Sequence, residues 1–318
     1  MSITEKNNME NLAPIVLFAY NRPYHIRQTI ESLSANMLAD KSKLFIFSDG
    51  PKNEETLPEV LEVRSYIKTI SGFESISIIE RNTNFGLANS IIDGVTNIIN
   101  QYGKIIVLED DLVTSPFFLT YMNEGLSLYE NNEHVISIHG YVYPIKKQLP
   151  NYYFLRGADC SGWATWKRGW ELFNPSSQLL LDEIRRQKLE ELFNFNDSHN
   201  YTGMLQAQIE GKVASWAIRW YASAFLANRY TLYPGTSFVN HIGFDGSGTN
   251  CGNSGNYDIR FPDVYTPLPL INVNDSKIAR RAFTQYFSTI RKKKNILKRV
   301  YNKLKKILNI SCLNIIQK

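Results

Sequence analysis

Four short runs of apolar residues punctuate the first third of the chain: Pro14-Ile-Val-Leu-Phe-Ala-Tyr20, Leu44-Phe-Ile-Phe47, Ile76-Ser-Ile-Ile79 and Ile105-Ile-Val-Leu108. Runs this short and this continuous predict strands covered on both faces, as in an α/β sheet. Between them the apolar positions switch to helical spacing. His25, Ile26, Ile30 and Leu33 form one stripe, Val60, Val63, Tyr66 and Ile67 a second within 59–70, and Ile91, Val95, Ile98 and Ile99 a third within 87–100. Strands alternating with helices imply a mostly parallel sheet with right-handed crossovers. Each run ends in polar residues, Asn21-Arg22, Ser48-Asp49, Arg81-Asn82 and Glu109-Asp110-Asp111. In an open α/β sheet the carboxyl ends of parallel strands share one crevice, where ligands bind.

The second half has a weaker pattern. Phe117–Tyr129 reads as a helix, Val135–His139 as a strand, Leu179–Phe195 as a charged helix and Ser215–Ala227 as an apolar, aromatic-rich helix. Residues 157–173 are rich in Gly and Trp, and Asn240–Gly252 is a glycine-rich loop, read as a mobile lid or a long turn. No internal repeat or low-complexity linker divides the chain, so one composite domain is expected over residues 1–275.

Glu109, Asp110 and Asp111 repel one another unless a positive charge sits among them. A solvated acidic turn is the plain alternative. At a strand end facing a crevice, a hard cation that also carries substrate phosphates would satisfy them, since Mg²⁺ is held by one or two carboxylates plus phosphate oxygens.

Composition narrows the class. Of 318 residues 43% are hydrophobic and 20% charged, with 17 Phe, 18 Tyr and 5 Trp, which are globular values. Cys160, Cys251 and Cys312 are too far apart for a CxxC metal site or a disulfide framework, so a reducing compartment is expected. The polar N-terminus has no signal-peptide core and no stretch reaches transmembrane length, so the expected location is the cytoplasm. The net charge of +5 conceals an asymmetry: residues 277–318 hold 13 of the 35 Lys and Arg and no acid, leaving 22 basic against 30 acidic residues before them. An acidic globule argues against nucleic acid as a partner. Residues 276–318 are expected to be a separate basic tail. Within Arg291–Leu308, Leu297, Val300, Tyr301, Leu304, Ile307 and Leu308 share a helical face flanked by Lys298, Arg299, Lys303, Lys305 and Lys306. Such a helix suits an anionic membrane surface, and a solvated or oligomerising helix is the alternative.

Ala19-Tyr-Asn-Arg-Pro23, Ser48-Asp-Gly50, Arg81-Asn-Thr-Asn-Phe-Gly86 and Glu109-Asp-Asp-Leu112, in that order, resemble a GT-A glycosyltransferase. The stretch EDDLVTSPFFL at 109–119 is similar to the metal site of the N-acetylglucosaminyltransferase I type and of related bacterial sugar transferases. SGWATWKRGWE at 161–171, SWAIRW at 215–220 and IGFDGSGT at 242–249 resemble motifs of bacterial polysaccharide glycosyltransferases. The resemblance spans about residues 13–265.

It implies a Rossmann-like GT-A sheet, with a donor half at about 13–115 and an acceptor half at about 116–275. Asp111 would ligate Mn²⁺ or Mg²⁺, with Asp110 and Glu109 facing the sugar and ribose. Asp49 would bond the nucleobase edge, and Tyr20, Asn21 and Arg22 would line the nucleotide crevice. Arg81 would pair with the diphosphate, its planar fork matching phosphate oxygens, and Gly86 would allow close backbone approach. Each has a plainer reading: Asp49-Gly-Pro51 as a turn, Arg81 as a surface arginine, Asn84–Gly86 as a helix entry.

An inverting transferase also needs a carboxylate base. The resemblance places an acid at 214, where this chain has Ala214; Asp159, Glu210 and Asp245 remain, with Asp159 ranked first. His241 is a candidate extra metal ligand or phosphate contact. Trp163 and Trp166 would stack on sugars or fill the core.

The reading is a metal-dependent hexosyltransferase, moving a sugar from a UDP-linked donor to a surface-glycan or lipid-linked acceptor at the inner membrane face. A sugar nucleotidyltransferase is a competitor, but Ala19–Pro23 lacks the glycine-rich basic loop of that class. A non-enzymatic nucleic-acid binder and a catalytically weakened transferase are the others.

Overall fold

The computed structural model describes residues 11–243, 245–246 and 259–292. Strands β1 (Ile15–Ala19), β2 (Lys43–Ser48), β3 (Ser75–Glu80) and β4 (Lys104–Glu109) are the four expected from the apolar runs. They are followed by β5 (Leu112–Thr114), β6 (Val135–His139), β7 (Tyr152–Arg156), β8 (Trp163–Trp166), β9 (Tyr230–Pro234) and β10 (Val239–His241). Eight of these build one sheet in the order β3-β2-β1-β4-β8-β6-β9-β7. The first four are mutually parallel. β8 runs antiparallel to both β4 and β6, β9 is parallel to β6, and β7 is antiparallel to β9. The single sheet thus crosses both halves of the chain.

Helices α1 (Pro23–Ser34), α2 (Leu57–Ile67), α3 (Leu87–Tyr102) and α4 (Phe118–Leu128) flank the sheet. Alternation along β1 supplies both layers. Ile15 and Leu17 pack with Ile26, Ile30 and Leu33 of α1, while Val16 and Phe18 meet Ile91 and Val95 of α3. Pro23 opens α1, where its missing N–H costs nothing. Gly103 closes α3 at φ 76°, its N–H bonded to the Ile99 carbonyl, as a left-handed cap requires.

The expected helix over Leu179–Phe195 is two, Ser177–Arg186 and Glu190–Phe193. Lys188 takes φ 57°, its N–H bonds to the Arg185 carbonyl and that of Leu189 to the Ile184 carbonyl. That is a Schellman closure with lysine where glycine is usual, so composition gave no stop signal. The helices Tyr201–Ile209 and Trp216–Leu226 pack with these into a third apolar cluster.

Two expectations change. Trp163 and Trp166 are buried in the sheet, and Trp163 packs on Trp170, Trp216 and Trp220 at centroid distances of 5.4–5.9 Å, so both fill the core rather than face sugars. The segment from 276 does not begin as a tail: a helix over 277–292 buries Ala282 and sinks Ala279, Phe283 and Phe287 into the third cluster. Asp275 secures its start by accepting from the Arg156 N–H and pairing with Arg280. The basic helix expected over 291–308 falls, beyond residue 292, outside the described residues, as do Cys251 and Cys312.

Candidate active site

Parallel pairing of β1 with β4 sets Phe18 opposite Glu109, so Tyr20–Arg22 leave the sheet beside Asp110 and Asp111. Arg22 forks across the two acids. Its Nη1 donates to Asp111 Oδ2 at 3.0 Å and its Nη2 to Asp110 Oδ1. The Tyr20 N–H reaches Asp110 Oδ2 at 3.3 Å, and Thr29 Oγ1 of α1 donates to the Asp110 carbonyl at 2.8 Å. Burial works against the Arg22 charge, but Asp110 and Asp111 outweigh it and raise its pKa above the ordinary value. Burial, reinforced by Asp111 and Asp110, pushes the Glu109 carboxyl up to about 8. Asp111 is 3% exposed, and its Oδ1 is buried without a hydrogen-bond partner. An orphaned carboxylate oxygen is a costly thing to bury, and calls for a ligand.

Directly after the acids the chain enters a small second sheet. β5 pairs antiparallel with β10, Leu112 opposite His241. The Ile242 N–H donates to the Asp111 carbonyl at 2.9 Å, and His241 Nδ1 lies 3.7 Å from Asp111 Oδ2. Burial lowers the His241 pKa, favouring the neutral imidazole that a metal ligand needs. Gly243 closes this cradle: a Cβ there would stand 2.1 Å from Asp111 Oδ2 and 3.1 Å from Arg22 Nη1. Asp245 turns to the wall, its Oδ2 3.1 Å from His25 Nε2 on α1. Most of the glycine-rich loop around it lies outside the described residues. Gly243 lies in the glycine-rich stretch that the sequence marks, whereas nothing local marks Thr29.

Two of the donor-side residues are already engaged inside the fold. Asp49 is buried with both oxygens engaged: Oδ1 accepts from the N–H groups of Gly50 (3.0 Å) and Phe85 (2.9 Å), Oδ2 from the Gly86 N–H (3.0 Å) and Asn84 Nδ2 (3.2 Å). It ties the 81–86 loop to β2 instead of presenting a free acceptor to a base. Arg81 is buried, pairs with Asp93 at 2.8 Å and lies 3.9 Å over the Phe85 ring, so its fork is used inside the fold. Gly86 takes φ 72°, a backbone conformation that by itself favours glycine. Asn21 faces outward, donating to Glu59 Oε2 at 2.8 Å, and Tyr20 accepts at its hydroxyl from the Lys52 N–H at 3.2 Å.

On the other side, antiparallel β8 begins where β4 ends, Trp163 opposite Val107, so the loop ahead of Trp163 reaches the same edge. Asp159 lies in it. Its Oδ1 accepts from the Cys160 N–H at 2.8 Å and its Oδ2 from the Tyr233 hydroxyl at 3.3 Å. His139 Nε2, 3.8 Å from Asp159, accepts from the Ser161 N–H at 3.1 Å. The Cys160 thiol is pushed well up by burial and then by the nearby Asp159 and Glu109 carboxyl groups. Glu210 is elsewhere: it ends the helix Tyr201–Ile209, exposed and ion-paired with Lys212 at 2.5 Å, which holds its carboxyl below the usual range. Ala214 is exposed in the turn before Ser215, the N-cap of the helix Trp216–Leu226. Among the described residues no three His, Cys, Asp or Glu side chains already form a metal cage.

No family model and no curated protein matches this chain. Solved structures do. Residues 1–349 of S. aureus TarS align at 10% identity over 72% of this chain and 60% of that one, with a TM-score of 0.38. Glucosyl-3-phosphoglycerate synthase from Mycobacterium tuberculosis, in complex with Mn²⁺, UDP and glucosyl-3-phosphoglycerate, aligns at 13% identity over 58% and 70%, TM-score 0.33. The mannosyltransferase PcManGT from Pyrobaculum calidifontis, in complex with GDP-Man and Mn²⁺, aligns at 12% over 45% and 42%, TM-score 0.31. The chain spans less than half of that mannosyltransferase and under two thirds of the TarS segment. Its own chemistry rests on its own residues: acids held by Arg22 at one strand edge, with His241 beside them and Asp159 in the loop ahead of β8.

Proposed function

We propose that this chain is a metal-assisted glycosyltransferase, transferring a hexose from a nucleoside diphosphate donor, UDP-linked, onto a hydroxyl of a surface-glycan or lipid-linked acceptor with inversion. The observation that carries the reading is the buried, unpartnered Asp111 Oδ1 at a parallel-strand end, with His241 alongside. A divalent cation fits this donor set and would be held by Asp111 and His241. When bound, it supplies charge stabilisation to the departing nucleoside diphosphate.

The chain's own residues do the rest. Tyr20 and the 49–52 turn line the nucleotide side, and Glu109 and Asp110 face the sugar. Asp159 takes the proton of the acceptor hydroxyl as its oxygen bonds to the anomeric carbon and the bond to the diphosphate breaks. The Tyr233 hydroxyl and the Cys160 N–H hold the Asp159 carboxylate at the strand edge.

Among the described residues no helix is long and apolar enough to cross a membrane. Peripheral docking through residues 291–308 belongs to the same proposal. Replacing Lys298, Arg299, Lys303, Lys305 and Lys306 by Gln should abolish sedimentation with anionic vesicles and leave neutral vesicles unaffected.

Calorimetric titration of UDP with Mn²⁺ and with EDTA tests the donor site. Binding should need both the metal and Asp111, and disappear in Asp111→Asn. UDP that binds under none of these conditions overturns the UDP-sugar reading. Tight binding without turnover on any acceptor would favour a donor-binding, catalytically weakened homologue, in keeping with Ala214.

A further inference from the structure

The positive charge nearest the proposed cation site belongs to the protein. Arg22 spans Asp110 and Asp111 with both terminal nitrogens, and its side chain is 17% exposed. A guanidinium on Asp111 Oδ2 and a divalent cation on Oδ1 would share one carboxylate, and like charges that close repel each other. The repulsion eases if one of them moves away. Arg22 can: it precedes Pro23 outside the first turn of α1, at φ −119° and ψ 77°, on a flexible stem at the edge of the crevice. On its other side the lack of a Gly243 side chain leaves space against Nη1, where a Cβ would stand only 3.1 Å away. A planar fork released from two carboxylates is matched to a diphosphate.

We infer that Arg22 is the resident counter-ion of Asp110 and Asp111, and that on loading it yields Asp111 to the cation and turns its fork onto the donor diphosphate. This rests on the sugar-nucleotide reading above. Arg22 then opposes free metal and favours metal with nucleotide, and it explains how three adjacent acids stay folded between turnovers.

The experiment compares full-length wild type with Arg22→Gln and Arg22→Lys. Free Mn²⁺ is followed by electron paramagnetic resonance without nucleotide, and UDP by calorimetry at saturating Mn²⁺. In Arg22→Gln, Mn²⁺ alone should bind about tenfold tighter and UDP with Mn²⁺ about tenfold weaker. Arg22→Lys keeps the charge without the fork, so its UDP affinity should fall while its Mn²⁺ affinity moves less than in Arg22→Gln. Loss of both affinities in either variant, which a merely structural Arg22 would give, overturns the handover, and so does no change in either. Should Arg22→Gln fold poorly alone, Mn²⁺ should raise its melting temperature more than that of wild type, and the absence of that rescue also overturns it. A wild type that binds neither Mn²⁺ nor UDP with Mn²⁺ would instead sink the donor-site reading itself.

Discussion

Gly243→Ala isolates the geometry of the acids from their charge. The glycine has no left-handed backbone to lose, so the added methyl acts only through space. Its Cβ would stand 2.1 Å from Asp111 Oδ2 and 2.9 Å from Asp111 Cγ. Ordinary contact needs about 3.4 Å or more, so the carboxylate must retreat by about 1 Å. Retreat stretches the 3.0 Å bond to Arg22 and changes the 3.7 Å approach of His241. Overpacking of this kind costs about 1–3 kcal/mol of stability. A 1 Å displacement of a reacting group costs about a hundredfold in rate. The assays are UDP calorimetry with Mn²⁺ and a denaturant melt. Metal-dependent UDP affinity should drop by at least about tenfold while the protein remains folded. Gly211→Ala is the control, since Gly211 has φ 68° and open space around its Cβ: it should lose about 1 kcal/mol of stability and no UDP affinity. Wild-type UDP binding by Gly243→Ala would refute the idea that the position of Asp111 matters.

Other outcomes follow from the same contacts. Asp49→Ala strands the backbone N–H groups of Gly50, Phe85 and Gly86, one buried and two part-buried, and should cost about 2–3 kcal/mol in urea melts; near-wild-type stability with UDP binding lost would mean that Asp49 reads the base after all. Arg81→Gln should lower stability but leave the Kd for UDP with Mn²⁺ within about twofold, since Arg81 is occupied with Asp93 and Phe85; a tenfold loss of affinity would return it to the diphosphate. Glu109 keeps its proton in the folded metal-free chain up to pH about 8 but releases it near 4.5 when unfolded. Folding therefore loses stability as pH rises between those values, by a few kcal/mol at most in a coupled site. Glu109→Gln should flatten that slope in melts at pH 5.5 and 8, and an unchanged slope would refute the assignment. Asp159→Asn should reduce transfer by at least about a hundredfold with UDP affinity intact, and equal losses in both would make it structural.

What the sequence revealed and what it hid divide along the range of the contacts. The first four strands were legible because each is buried on both faces and therefore reads as an unbroken apolar run, and their polar ends followed at once. β6 and the helix Trp216–Leu226 were legible for similar reasons. β5 and β10, at three residues each, are too short to carry any period, yet they bring His241 to Asp111 across 130 positions. The strand β7 and its partner β9 hide among tyrosines whose rings pack on one another, so neither alternates cleanly. The helix over 277–292 was read with the basic tail because charge was counted over the whole segment, whereas Ala279, Ala282, Phe283 and Phe287 already fall on one helical stripe.

The candidate site divides the same way. Asp110 and Asp111 were placed by their strand, but a motif names residue types and not their partners. Asn84 and Gly86 recur beside Asp49 because together they build one loop, and an acid that organises a loop looks, in sequence, like an acid that awaits a ligand. Arg81 could have been recognised, since Asp93 stands two helical turns into α3 on the side that faces back towards β3. The side chain that meets the acids is the one expected merely to line the crevice. Arg22 is the single guanidinium held against the acids among the described residues, and in a site built from three adjacent carboxylates the chemistry turns on what neutralises them.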